Sequence, residues 1–167
     1  MIIPTIGFVG RSSSGKTTLI ERLLAEFTRR GVRVAVVKHT LHRQVETDLP
    51  GKDSRRYWEA GAAQTALVAG DRIVLARRAN DPAVEEALAQ IEGVDLIIVE
   101  GHKKATYPKI EVIRAARSPH RIPDLDRVIA CVTDVPDLDC GGLPRFDFDA
   151  VVPLADFITA QLHLHEV

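Results

Sequence analysis

Residues 10–17 read Gly-Arg-Ser-Ser-Ser-Gly-Lys-Thr, a G-x-x-x-x-G-K-[ST] string without a mismatch. The chemistry of such a string is the capture of a phosphate chain. Gly10 and Gly15 are expected to adopt backbone angles closed to other residues. The N–H groups from Ser12 through Ser13 and Ser14 to Thr17 then turn inward around an anion. A helix opening at Lys16 adds the positive end of its dipole. Lys16 is then placed along the β- and γ-phosphates, the Thr17 hydroxyl on Mg²⁺ and Thr18 on the α-phosphate. The bland alternative, a Ser-rich connecting turn, gives Lys16 no reason to stand at a helix start.

A metal held by one hydroxyl and two phosphates needs outer carboxylates to orient its waters. The apolar run Asp95-Leu96-Ile97-Ile98-Val99-Glu100-Gly101 offers two acids, which an extended strand separates by about 16 Å. Only one can approach the loop. Ligands of parallel α/β sheets sit at the carboxyl ends of strands, which selects Glu100 as the acid at the metal or its water and leaves Asp95 as a cap or surface charge.

The elements that must position these residues alternate. Thr5–Val9 reads as a strand, Lys16–Arg30 as a helix with Leu19, Leu23, Leu24 and Phe27 on one stripe, and Arg33–Lys38 as a second strand. A polar loop at 40–52 leads to a short helix ending at Ala60, capped by Asp53 or Ser54. Gln64–Ala69 and Arg72–Ala76, joined by Gly70-Asp71, suggest a hairpin. Pro82–Ile91 reads as a helix with Asp81 as its N-cap. Asp95–Val99 lacks alternation, as a central strand buried on both faces does. Lys109–Arg114 and Val128–Thr133 add strands, and Ala155–Leu164 a closing helix. The alternation predicts an α/β sandwich with a mostly parallel sheet and an antiparallel edge hairpin, and the loop at 10–17 makes it P-loop NTPase-like. One nucleotide-binding domain is expected over residues 1–167.

Composition agrees with one globular domain. The 167 residues carry 22 Lys+Arg against 23 Asp+Glu, with 46% apolar residues, and a chain of this length buries about 70% of its unfolded surface. A net charge of −1 argues against a nucleic-acid clamp. Cys131 and Cys140 form no CxxC pair, and with no signal peptide read at the N-terminus the expected compartment is the reducing cytoplasm. The apolar start, Met1 to Val9, is far shorter than a membrane span. His39 and His42 have H-x-x-H spacing but no third ligand nearby, so they are expected to line the cleft or meet solvent rather than hold a metal.

The loop at 10–17, Asp48-Leu49-Pro50-Gly51-Lys52-Asp53-Ser54, Ala60-Gly61-Ala62, Val99-Glu100-Gly101 and Pro108-Lys109-Ile110-Glu111 occur together in this chain. In that combination the chain resembles the molybdopterin-guanine dinucleotide biosynthesis accessory protein B family, from Ile6 to about Asp134. The resemblance implies a homodimeric GTP-binding protein with slow hydrolysis. It also implies work beside the guanylyltransferase that attaches GMP to molybdopterin in making the guanine dinucleotide form of the molybdenum cofactor.

Within those segments Asp48 is a second candidate for the metal or the attacking water, against an Asx-turn ahead of Pro50-Gly51. Lys52 is read as a phosphate contact or a solvated lysine. Asp134, closing Val132-Thr133-Asp134, is the candidate reader of guanine, although no N-K-x-D string is present. His102-Lys103-Lys104, extended by Arg114 and Arg117, forms a candidate basic rim for the molybdopterin phosphate or an acidic partner. Arg11 is a candidate arginine finger. The Lys109 to Ile113 strand is a candidate edge for pairing with a second copy. Competing readings are a small-molecule kinase using the same loop, and a nucleotide-gated adaptor without turnover.

Overall fold

The chain runs β1 (Thr5–Gly10), α1 (Lys16–Arg29), β2 (Val34–Lys38), α2 (Asp53–Glu59), β3 (Gln64–Ala69), β4 (Arg72–Arg77), α3 (Val84–Leu88), β5 (Leu96–Glu100), β6 (Lys109–Ile113), β7 (Val128–Thr133), β8 (Arg145–Phe146) and α4 (Val151–Leu162). This computed structural model describes residues 2–40 and 52–164. Asp48, His42 and the Pro50-Gly51 turn lie outside the described residues. Two compact units are present, Met1–Thr40 with Val84–Val167 and Leu41–Ala83.

In the larger unit six strands form one sheet in the order β2-β5-β1-β6-β7-β8, and every pairing in it is parallel. The pleat divides each strand's side chains between two faces. Ile6, Phe8, Leu96, Ile98, Ile110 and Val112 turn to one core, where Leu19, Leu23 and Phe27 of α1 meet Leu154, Ala155 and Ile158 of α4. Ile97 and Val99 turn to the other face, against Val84 and Leu88 of α3. Full burial of each such side chain contributes about 1.5–3 kcal/mol. β5 therefore has no polar face, which is why its sequence does not alternate. Among the described residues no helix is long and apolar enough to cross a membrane.

The α/β class, the mostly parallel sheet and the antiparallel hairpin are as expected from sequence. The hairpin, β3 with β4, is a sheet of its own in the smaller unit. There Arg78 stacks over Trp58 at 4.2 Å and its guanidinium donates to the Ala62 and Trp58 carbonyls, tying α2 to the hairpin. Lys52, not Asp53 or Ser54, is the N-cap of α2.

Several boundaries differ for identifiable reasons. Asp81 takes a positive φ of 51° and does not cap a helix at Pro82; α3 starts at Val84 and ends in i→i−3 bonds from Gln90 and Ile91. α4 starts at Val151, upstream of expectation, because Pro153 stands in the first turn, where no intrahelical acceptor is owed an N–H. β8, two residues long, is too short to leave a periodic signal. β6 lies between β1 and β7 with all five residues buried. It is an interior strand, so the expectation that it pairs with a second copy is overturned.

Glu26 accepts from Arg29 and from Arg30, and Arg30 reaches Asp156 on α4 at 2.7 Å. The two guanidiniums bring the Glu26 carboxyl down from 4.5 to about 2. Between those values the folded chain binds fewer protons than the unfolded one. The contribution is thus complete above the unfolded value and lost as pH falls toward the folded one. Glu26→Gln is expected to lose melting temperature less steeply than the parent between about pH 5 and about pH 3. Parallel curves for the two proteins would refute this assignment.

Candidate functional site

β1 delivers the chain into the loop at Gly10, opposite Val112 of β6. A Cβ on residue 10 would stand 2.4 Å from the Val112 carbonyl oxygen and 2.7 Å from Ser14 Oγ. Glycine is required there by close approach. The positive φ angles fall on Ser13 (57°) and Gly15 (91°) instead, so the expectation that both glycines supply unusual angles holds for Gly15 alone. Ser14 is buried, and its N–H turns onto the Arg11 carbonyl at 3.3 Å rather than standing free for a ligand. Lys16, Thr17 and Thr18 open α1, where the first-turn N–H groups have no intrahelical acceptor.

Lys16 bends back over the loop. Its Nζ donates to the Arg11 carbonyl at 2.7 Å and reaches the Gly10 carbonyl and Ser14 Oγ at 3.4 Å each. Burial pushes its pKa down, Glu100 pulls it back up, and Lys103 and Lys38 push it down again. Among the described residues the loop mouth therefore gathers Lys16, Lys38 and Lys103 near the Glu100 carboxylate.

That carboxylate belongs to the carboxyl end of β5, and Thr17 and Glu100 are brought together. Thr17 Oγ1 lies 3.1 Å from Glu100 Oε1 and 3.2 Å from Oε2. Lys38, paired with Glu100 across β2 and β5, places Nζ 3.7 Å from Oε1. Gly101 follows with φ 96°, and a Cβ on it would be 2.9 Å from the His39 carbonyl. Asp95, at the other end of the strand, accepts from the Arg33 backbone N–H and guanidinium, which hold its carboxyl at about 2. The two acids are separated as the strand length required.

His39 packs its ring against His102 at 5.2 Å between centroids, and His102 Nδ1 is 3.0 Å from the Tyr107 hydroxyl, whose pKa burial raises to about 12. No cluster of three His, Cys, Asp or Glu side chains capable of holding a metal occurs among the described residues. An all-protein metal cage is absent there. The Thr17 hydroxyl and the Glu100 carboxylate are nevertheless the hard oxygen donors that Mg²⁺ takes when phosphates complete its shell, so the residues present fit that ion.

Asp134 stands at the end of β7 with both oxygens engaged. Oδ1 accepts the Ala115 N–H at 2.7 Å and Oδ2 lies 3.4 Å from Arg114 Nη1. Arg114 also contacts the loop itself, with Nε 3.5 Å from the Ser14 carbonyl.

A family model described as MobB, molybdopterin guanine dinucleotide synthesis protein B, matches residues 5–134. The chain belongs to this family. It is 37% identical over 166 residues to the molybdopterin-guanine dinucleotide biosynthesis adapter protein of Haemophilus influenzae, covering 96% of this chain and 90% of that one. It is also 37% identical to the Escherichia coli protein of the same description, over 94% of this chain and 92% of that one. The crystal structure of Bacillus subtilis MobB superposes with a TM-score of 0.76 at 30% identity, covering 96% of this chain and 98% of that one.

In this MobB-family chain three contributors to the loop carry no local sequence signal: the Val112 carbonyl, the Phe148 ring over which Arg114 lies, and Lys38 beside Glu100. Val112 and Lys38 reach the site through sheet register, and Phe148 through the segment between β8 and α4. The Val112 carbonyl cannot retreat without breaking the β1–β6 ladder. Gly10→Ala is therefore expected to cost about 1–3 kcal/mol in urea unfolding. A variant as stable as the parent would show that the close approach is not enforced.

Proposed function

We propose that this chain is a GTP-binding adapter in the biosynthesis of the molybdopterin guanine dinucleotide form of the molybdenum cofactor. In this reading it hydrolyses GTP slowly with Mg²⁺ and assists the guanylyltransferase of that pathway. The observation that carries the reading is the pairing of Thr17 Oγ1 with both Glu100 oxygens at 3.1 and 3.2 Å beside the phosphate loop. The family and the relatives described as adapter proteins support the pathway and the adapter role.

The loop amides and the start of α1 receive the phosphates, and Lys16 exchanges its contacts with the Gly10 and Arg11 carbonyls for phosphate oxygens. Thr17 and Glu100 would hold the magnesium ion, directly or through its waters. When bound, the ion neutralises charge on the β- and γ-phosphates. Glu100, only 12% exposed at its side chain, is placed to orient water at the phosphate chain. GTP is preferred over ATP on the strength of the family.

The second copy in this homodimer meets the β3–β4 hairpin. Val68 is 74% exposed and Ile73 72%, the kind of apolar surface that a single chain rarely leaves to solvent. The buried free thiols Cys131 and Cys140 agree with a cytoplasmic setting.

Lys16→Ala is expected to abolish detectable GTP binding in calorimetry, and Thr17→Ala and Glu100→Gln to weaken Mg-GTP binding about 10- to 100-fold while leaving metal-free GDP binding nearly unchanged. Unaltered Mg²⁺ dependence in both variants refutes the metal assignment. The double variant Val68→Asp with Ile73→Asp is expected to sediment as a monomer with parental GTP affinity; a persistent dimer moves the interface elsewhere. Single-turnover assays with labelled GTP read phosphate released to water under this proposal. Transfer to an added acceptor would make the chain a kinase instead.

A further inference from the structure

Arg114 joins three segments at the phosphate loop: the loop itself, the end of β7 and the stretch between β8 and α4. Its guanidinium lies over the Phe148 ring at 3.7 Å, its Nε is 3.5 Å from the Ser14 carbonyl, and its Nη1 is 3.4 Å from Asp134 Oδ2. A Cβ on Gly15 would stand 2.7 Å from Nη2. The cation thus stands against the turn from Ser14 into α1, where Gly15 takes φ 91°. A planar, always-charged fork stacked on an aromatic ring is a rigid support, and it attracts the Ser14 carbonyl to itself. A carbonyl swung toward the loop interior would instead repel a phosphate.

We infer that Arg114 is a positioning residue that holds the Ser14-Gly15 turn in its phosphate-binding conformation, and that Asp134 acts by orienting Arg114, not by reading a base. A carboxylate that recognises guanine offers its two oxygens to the ring N–H and the 2-amino group. Here one oxygen accepts the Ala115 N–H at 2.7 Å and the other faces Arg114. The inference rests on the proposed nucleotide site and replaces the guanine-reading role that the sequence suggested for Asp134. Its consequence is that both residues govern affinity for the phosphate chain and leave base preference alone.

The test titrates the full chain with Mg²⁺ and GTP, XTP or GMP, using the parent, Arg114→Ala, Arg114→Lys and Asp134→Asn, and follows amide hydrogen exchange across residues 14–17 in nucleotide-free protein. Arg114→Ala is expected to weaken GTP binding about tenfold, with a smaller loss for GMP, and to speed exchange of the loop amides. Arg114→Lys restores part of both. Asp134→Asn should weaken GTP and XTP binding by the same factor. The inference is overturned if Asp134→Asn shifts preference from GTP toward XTP, since an amide NH₂ complements the xanthine 2-carbonyl. Parental affinity in Arg114→Ala overturns it too. A parent that binds no nucleotide sinks the proposed function, and the exchange experiment then decides the inference by itself: unchanged loop exchange in Arg114→Ala refutes it. If Arg114→Ala does not fold, Arg114→Lys and Asp134→Asn carry the same comparisons.

Discussion

Everything at the site depends on how closely β6 approaches the end of β1. The Val112 carbonyl occupies the space a side chain on residue 10 would need. The loop therefore leaves the sheet at one place and at one angle. From there α1 starts with its first-turn amides at the loop, and Thr17 projects toward the neighbouring β5 on the other side of β1. A parallel sheet supplies this arrangement because the carboxyl ends of β1, β5, β6 and β7 all open on one edge.

Charge is organised along the same direction. The two acids flanking the apolar run of β5 lie in opposite surroundings. Asp95 at the amino end is neutralised by a bidentate arginine and a backbone amide, an arrangement that closes the strand start. Glu100 at the carboxyl end meets a hydroxyl and Lys38, with Lys103 also near enough to act on Lys16. The buried Glu111, bonded to Arg121 and the Ile122 N–H, shows the contrasting case of an acid whose partners all belong to the fold.

Much of this was legible beforehand. The α/β class, the hairpin and the parallel sheet follow from local patterns, because each depends on residues close in sequence or on a strand's direction. Strand neighbours were not legible. Lys109–Ile113 reads equally well as an edge or a centre, because its place is set by β1 and β7 on either side, which its own residues do not name. The partners of Asp134 were not legible either, since Arg114 and the Ala115 N–H belong to the segment after β6.

By itself the sequence determined the chemistry available, namely a glycine-bounded loop, a lysine and a threonine opening a helix, and one carboxylate at the right end of a central strand. Helical and strand periods, and the geometry of a turn, act over a few residues and are written in order along the chain. Only the tertiary structure decided that glycine at 10 is demanded by a carbonyl 102 positions away (112 − 10), that β6 is interior, and that Arg114 stands against the loop. These outcomes come from register and packing between distant segments, where the favourable contact exists only once both strands are in place.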